Sequence, residues 1–231
     1  ILGFEALLRW QHPQLGLLSP DKFLPMAEKT GMIVNIGNWV IHEACRQLRE
    51  WHLQGHQSWS MAVNLSTLQF EQPSLVKTVL DCLALHQVPP EMLILEVTET
   101  TAMSNPDESV RVLTELTNAG VKASIDDFGT GYSSLLYLKR LPACELKIDR
   151  AFVQELSGES EDATIVSAIV ALAKTLNLKV VAEGVETEAQ QTFLTELGCN
   201  TLQGYLLGKP ASAQTIEALC ARGEMLPGAE L

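Results

Sequence analysis

The chain has 231 residues, 46% of them hydrophobic and 19% charged, with a formal net charge of -12. That length and balance are those of a globular protein able to bury a core without staples. So acidic a surface repels nucleic-acid backbones and anionic membranes, which argues against a DNA or RNA polymer as partner and requires a local reversal of the field, such as a bound metal ion, for any anionic ligand.

The predicted elements alternate between short apolar runs and amphipathic helices. Leu2 to Leu8 reads as a strand, and Ser19-Pro20 as the start of a helix that carries Phe23, Leu24 and Ala27 on one face and stops at Gly31. A longer helix shows Ile36, Val40, Ala44, Leu48 and Trp51 at helical spacing. Then come a strand at Met61–Leu65, a helix with Val76, Val79, Leu80 and Leu83, and a strand at Leu93–Val97. A helix with Val110, Leu113 and Leu116 ends at Gly120, ahead of strands at Val121–Ile125 and Glu145–Ile148. A helix with Ile165, Ile169, Leu172 and Leu176 leads to a strand at Lys179–Ala182 and a helix running to Leu197-Gly198. A short strand at Thr201–Gln203 and a helix with Ile216 and Leu219 complete the pattern.

Repeated strand–helix units predict a parallel sheet flanked by helices, and strands this short and regular favour an α/β barrel. Seven strands are predicted, and the chain opens at Ile1 inside the first. It therefore reads as a fragment whose upstream strand region is missing. Residues 1–222 are expected to form one domain and 223–231 a loose tail. There is no stretch of some 18 apolar residues to span a membrane, and no signal peptide. Cys45, Cys82, Cys144, Cys199 and Cys220 form no Cys-x-x-Cys pair and read as buried thiols of a reducing compartment.

Barrel enzymes place their chemistry at the C-terminal ends of the strands. Here Glu5, Asn64, Glu96, Asp126, Asp127, Lys147, Glu183 and Gln203 lie in or directly after predicted strands. A charge in a core strand is costly unless paired or metal-bound. Taken singly, each has an ordinary reading: Asp126 or Asp127 as a helix cap, Glu183 as a loop acid, Glu96 and Glu99 as solvent-facing acids, Lys147 as the partner of Asp149. Taken together, the carboxylates, amide and lysine need a shared explanation, and the oxygen groups among them suit coordination of Mg²⁺ or Mn²⁺. Two such ions about 3.5–4 Å apart clamp the attacking and leaving oxygens of an in-line phosphoryl displacement. The histidines His12, His42, His52, His56 and His86 show no ligand spacing and no strand-end placement, and read as structural or surface groups. On an extended strand Arg9 shares a face with Glu5, four residues away, within reach of a substrate phosphate.

Several motifs occur in a fixed order. They are Glu5-Ala6-Leu7 within Gly3–Trp10, Val63-Asn64-Leu65-Ser66, Glu96-Val97-Thr98-Glu99, the run Asp126-Asp127-Phe128-Gly129-Thr130-Gly131-Tyr132-Ser133-Ser134-Leu135, Leu146-Lys147-Ile148-Asp149, Ala182-Glu183-Gly184-Val185-Glu186 and Gln203-Gly204-Tyr205. This set resembles the EAL domain, the cyclic di-GMP phosphodiesterase family of bacterial signalling, over nearly the whole chain. The resemblance implies a modified (β/α)₈ TIM-like barrel with one antiparallel strand, and Mg²⁺- or Mn²⁺-dependent hydrolysis of cyclic di-GMP to linear pGpG, with Ca²⁺ inhibitory. It implies that Glu5, Asn64, Glu96 and Asp126 bind one metal, that Asp126 bridges to a second held by Asp127 and Glu183, and that Lys147 positions or helps deprotonate the attacking water. Catalytic roles thus fall to Glu5, Lys147 and Glu183, and substrate contacts to Leu7, Arg9 and Gln203. Glu99 resembles the glutamate that steadies the loop after Asp127. That loop, Gly129 to Ser134, is linked in the family to a dimer interface, so a homodimer is expected.

An upstream sensory or GGDEF-type domain is also expected, with the chain in the cytoplasm, as a soluble protein or as the cytoplasmic part of a membrane-anchored one. The family often has an aromatic residue where this chain has Leu207-Gly208-Lys209-Pro210, so one stacking contact to guanine is expected to be lost, weakening affinity. Two competing functions are a non-catalytic cyclic di-GMP receptor, disfavoured because every expected ligand is present, and a barrel lyase or aldolase using Lys147, which the surrounding acids suit less well.

Overall fold

The computed structural model describes residues 1–131, 135–156 and 160–222. The expected tail at 223–231 and the segment Tyr132-Ser133-Ser134 of the Gly129–Ser134 loop lie outside the described residues. Two compact units form, Ile1–Val97 with Ser104–Ala123, and Thr98–Met103 with Ser124–Leu231.

In the first unit, β1 (Gly3–Glu5) pairs in parallel with β4 (Ser60–Leu65), which pairs in parallel with β5 (Leu93–Thr98). Period-2 alternation buries Met61, Val63 and Leu65 on one face of β4 and leaves Ala62 and Asn64 on the other. The helix Met32–Leu53 lies on β4 and on the helix Leu75–His86. Its buried stripe is Ile33, Gly37, Ile41, Ala44, Cys45, Leu48 and Trp51, whereas Ile36 and Val40 of the predicted stripe are only half-buried. Helices at Pro20–Lys29 and Pro106–Asn118 stand where expected, and Gly120 closes the latter at φ 95°.

Two differences from the sequence reading fall at the start of the chain. The first strand ends at Glu5 rather than Leu8. A hairpin that was not predicted follows, β2 (Trp10–His12) antiparallel to β3 (Gly16–Leu18). His12 Nδ1 accepts the backbone N–H groups of Gln14 and Leu15, which closes its turn. The hairpin escaped the pattern because Trp10, Leu15 and Leu17 are all exposed, so no buried face writes an alternation into the sequence.

In the second unit, β6 (Lys122–Phe128), β7 (Glu145–Ile148), β8 (Lys179–Ala182) and β9 (Thr201–Leu202) pair in parallel in that order. The helix Glu161–Thr175 covers β7 and β8 with Val166, Ile169, Val170 and Ala173. Ile165 of the predicted stripe is exposed. The helix Glu188–Leu197 begins with a reciprocal cap, in which Thr187 Oγ1 accepts from Gln190 N–H while Gln190 Oε1 accepts from the Thr187 N–H, and it ends at Gly198 with φ 90°. No described helix is long and apolar enough to cross a membrane. All five cysteines are free thiols, but only Cys45 and Cys82 are buried; Cys144, Cys199 and Cys220 are partly exposed, contrary to the reading of all five as buried.

Candidate functional site

The polar strand-end residues form one cluster in each unit. In the first, Glu5 is level with Ala62 across β1 and β4, and Asn64 is level with Glu96 across β4 and β5. Because Ala62 and Asn64 share a face, Glu5, Asn64 and Glu96 point from the same side of the three strands. Asn64 Nδ2 donates to Glu5 Oε1 at 2.6 Å. Glu96 is 3% exposed, which removes the solvent-facing reading for it.

In the second unit the strand geometry itself is unusual. The β6–β7 register runs Ser124 to Glu145 and Ile125 to Leu146, then shifts before Phe128 pairs with Ile148. The bulge falls on Asp126 and Asp127, and Asp127 has a left-handed backbone, φ 53°. In a regular strand, neighbouring side chains point to opposite faces. The bulge instead lets carboxylate oxygens of Asp126, Asp127 and Glu183 come within 4.8 Å of one another. Lys147, 1% exposed on β7, places Nζ 2.6 Å from Glu183 Oε1 and 3.4 Å from Asp126 Oδ1. Burial, the Asp126 charge and a hydrogen bond with Asp149 push the Asp127 carboxyl up to about 6, with Lys147 pulling the other way. The cluster thus sets three carboxylates around one buried ammonium. Oxygen donors with surplus negative charge fit a hard divalent cation.

The ordinary readings of these residues fare unevenly. Neither Asp126 nor Asp127 caps a described helix; Asp126 Oδ1 accepts from the Asp127 N–H instead. Asp149 is the helix cap, accepting from Ala151 N–H at 2.7 Å, and its contact with Asp127 adds it to the cluster although sequence reasoning gave it no role there. Glu99 is 2% exposed and accepts the Gly129 N–H at 2.8 Å, so it anchors the loop after Asp127 and does not face solvent. Gly184, after Glu183, has φ 71°, and a Cβ there would stand 2.6 Å from Arg150 Cβ. Only glycine lets the chain turn so close behind Glu183. The Gln203 backbone is held on both sides, its N–H donating to Ala182 and its carbonyl accepting from Val185.

Arg9 departs from expectation. Its chain is no longer in the strand, so the shared face with Glu5 is absent; it is exposed, and Nη1 donates to the Leu8 carbonyl. Leu7 is exposed. Tyr205 is half exposed, with Lys209 Nζ 5.8 Å from its ring centre, beside the Leu207-Gly208 departure.

The histidines divide. His52 Nε2 meets the Trp59 carbonyl and His56 stacks on Trp59 at 3.8 Å, both structural roles. His42 and His86, by contrast, place ring nitrogens within 4.8 Å of each other and of Cys82 Sγ. The reading that no histidine has ligand spacing is corrected for these two.

A sequence model of the EAL domain matches residues 1–210. The chain is 63% identical over 221 residues to the bifunctional diguanylate cyclase/cyclic di-GMP phosphodiesterase MucR of Pseudomonas aeruginosa, covering 96% of this chain and 32% of that protein. It is 47% identical over 213 residues to the cyclic di-GMP phosphodiesterase NbdA of the same organism, covering 92% of this chain and 27% of that protein. The chain thus spans about a third or less of the curated relatives it matches. Among solved structures, a PaMucR phosphodiesterase–c-di-GMP complex superposes with a TM-score of 0.91 at 64% identity, covering 94% of this chain and 87% of that one. The expected fold class, an α/β TIM-like barrel of the EAL type, is the fold of these neighbours. The chain belongs to the EAL domain family.

Proposed function

We propose that this chain is a metal-dependent phosphodiesterase that hydrolyses one phosphodiester bond of cyclic di-GMP to give linear pGpG, lowering a bacterial second messenger. The observation that carries the reading is the bulge-built trio Asp126, Asp127 and Glu183 around the buried Lys147. The PaMucR neighbour was solved with c-di-GMP, which supports the same substrate here.

The metal-ligand roles fall to Glu5, Asn64, Glu96, Asp126, Asp127 and Glu183, and the ions are Mg²⁺ or Mn²⁺, with Ca²⁺ inhibitory. Bound by these residues, such ions would supply charge to the reacting phosphoryl oxygens and would lower the pKa of a water toward neutrality. The protein's own contribution is orientation. Lys147, fixed between Glu183 and Asp126, orients the attacking water. Asn64 fixes the Glu5 carboxylate through its 2.6 Å hydrogen bond. Glu99 fixes the loop that begins at Gly129. Arg9, Leu7 and Gln203 contact the nucleotide. With a net charge of -12 the chain depends on the cations and Arg9 to attract an anionic substrate.

The proposal extends to a homodimer, to an upstream sensory or GGDEF-type domain in the parent protein, and to a cytoplasmic location. One assay decides the central claim. The chain is incubated with cyclic di-GMP and Mg²⁺ or Mn²⁺, then with Ca²⁺, and pGpG is followed by chromatography. Turnover is expected with the first two ions. Binding without turnover in Mg²⁺ and Mn²⁺ overturns the enzyme and leaves the non-catalytic receptor.

A further inference from the structure

The cluster His42, Cys82 and His86 lies wholly in the first unit and takes no part in the proposed hydrolysis. Cys82 and His86 are four residues apart on the helix Leu75–His86, so one face carries both. His42 comes from the helix Met32–Leu53, which packs on it. One donor atom from each residue lies within 4.8 Å of the others, and the two imidazole rings sit 5.8 Å apart at 75°. A tetrahedral zinc ion with ordinary Zn–N and Zn–S bonds places its donors about 3.3–3.6 Å apart. Side-chain rotations that close about an ångström suffice.

A second observation points to a missing partner. His86 Nε2 is buried with no hydrogen-bond partner, which is costly for a ring nitrogen and is resolved by a ligand on that atom. Charge agrees. The nearby cation Arg46 is itself held by Glu43 and Glu50, at 2.9 and 2.6 Å, so its charge is compensated.

We propose that His42, Cys82 and His86 form a binding site for Zn²⁺, or a similar cation preferring nitrogen and sulfur donors, that clamps the helices Met32–Leu53 and Leu75–His86 together. Three protein donors leave the fourth position for water on the side where His42 is exposed. The chemistry separates this site from the oxygen-donor cluster, because thiolate and imidazole select zinc and cobalt while carboxylates and amide select magnesium and manganese.

The test uses the purified 231-residue chain, stripped with chelator, reduced, and titrated anaerobically with Co²⁺. A near-ultraviolet thiolate-to-cobalt charge-transfer band is expected, saturating at one equivalent and erased by Zn²⁺; an all-oxygen site gives no such band. C82S is expected to abolish it, and H42A and H86A to weaken Co²⁺ binding at least tenfold. Because Cys82 is a core residue, H42A carries the decisive second measurement: its melting temperature without metal should match wild type, while the rise produced by Zn²⁺ should be lost. No band in the wild-type chain, a band unchanged in C82S, or an equal Zn²⁺ shift in H42A and wild type would each overturn the proposal.

Discussion

The Lys147→Met variant tests the organisation of the acidic cluster more directly than any activity assay. The side chain of Lys147 is 2% exposed, and those of its partners Asp126 and Glu183 are 10% and 18% exposed. Methionine keeps the length and apolar stem but removes the ammonium that stands against both carboxylates. Removing one member of a buried ion pair costs about 3–5 kcal/mol, because the partner charge stays buried without compensation. For a domain of this size each kcal/mol moves the melting temperature by about 2–4 °C, so K147M should melt at least about 6 °C lower than wild type in chelator. On the proposed metal assignment, divalent cations held by the same carboxylates supply the missing charge, so saturating Mn²⁺ should raise K147M more than it raises wild type. Thermal unfolding followed by circular dichroism at pH 8, with chelator and with Mn²⁺, gives the four melting temperatures needed. A K147M midpoint within about 1 °C of wild type in chelator, or a deficit that Mn²⁺ leaves untouched, would refute the electrostatic account.

Three further outcomes follow from particular contacts. Asp127 has a raised folded-state pKa, from 3.8 to about 6, so its charged form destabilises the metal-free fold; the cost is absent below the unfolded pKa and complete above the folded one. In chelator, the stability of D127N relative to wild type should therefore increase as pH rises from 4 through about 6, and a difference independent of pH would contradict the shift. Thr187→Ala removes one half of the reciprocal cap on Glu188–Leu197 and should cost about 1 kcal/mol in urea unfolding, with turnover little changed. Gly184→Ala forces a Cβ to within 2.6 Å of Arg150 Cβ at φ 71°, and should lower both the unfolding free energy, by about 1–3 kcal/mol, and the rate of pGpG formation, since the turn sets Glu183.

Much of the architecture was readable because hydrophobic period and caps are local. All seven expected strand positions carry strands, and glycine stops at Gly120 and Gly198 fall where predicted. What failed was the exposed hairpin at Trp10–Leu18, which has no buried face to pattern the sequence, and features that depend on a neighbour distant in sequence. In the first half of Met32–Leu53 the buried positions are Ile33, Gly37 and Ile41 rather than the expected Ile36 and Val40; Gly37 lies against the Gln69 side chain, and a glycine carries no apolar signal. The zinc-type cluster shows the same limit. Cys82 and His86 form a recognisable four-residue spacing, but His42 joins them only because two helices pack.

The acidic pair shows how composition and order can single out residues without giving their geometry. Two adjacent carboxylates on a regular strand point to opposite faces, so Asp126-Asp127 alone would put only one of them toward Glu183. The bulge between Ile125 and Phe128, with Asp127 in the left-handed region, removes that restriction. A left-handed backbone at a residue other than glycine costs about 1–3 kcal/mol and persists only where surrounding structure enforces it. Here the enforcement is visible on both sides. Asp126 Oδ1 accepts the Asp127 N–H, Thr130 donates its N–H and hydroxyl to the Asp127 carbonyl, and Glu99 accepts the next N–H but one, that of Gly129. Replacing Asp127 by glycine relaxes the backbone but deletes a carboxylate, whereas Asp127→Asn keeps a side chain that tolerates the left-handed region. The two substitutions therefore separate the roles of this position. D127G should unfold at or above the wild-type midpoint yet lose turnover, and D127N should hold the bulge while also losing turnover. A D127N variant that turns over cyclic di-GMP at near-normal rate would show that Asp127 serves the strand and not the chemistry.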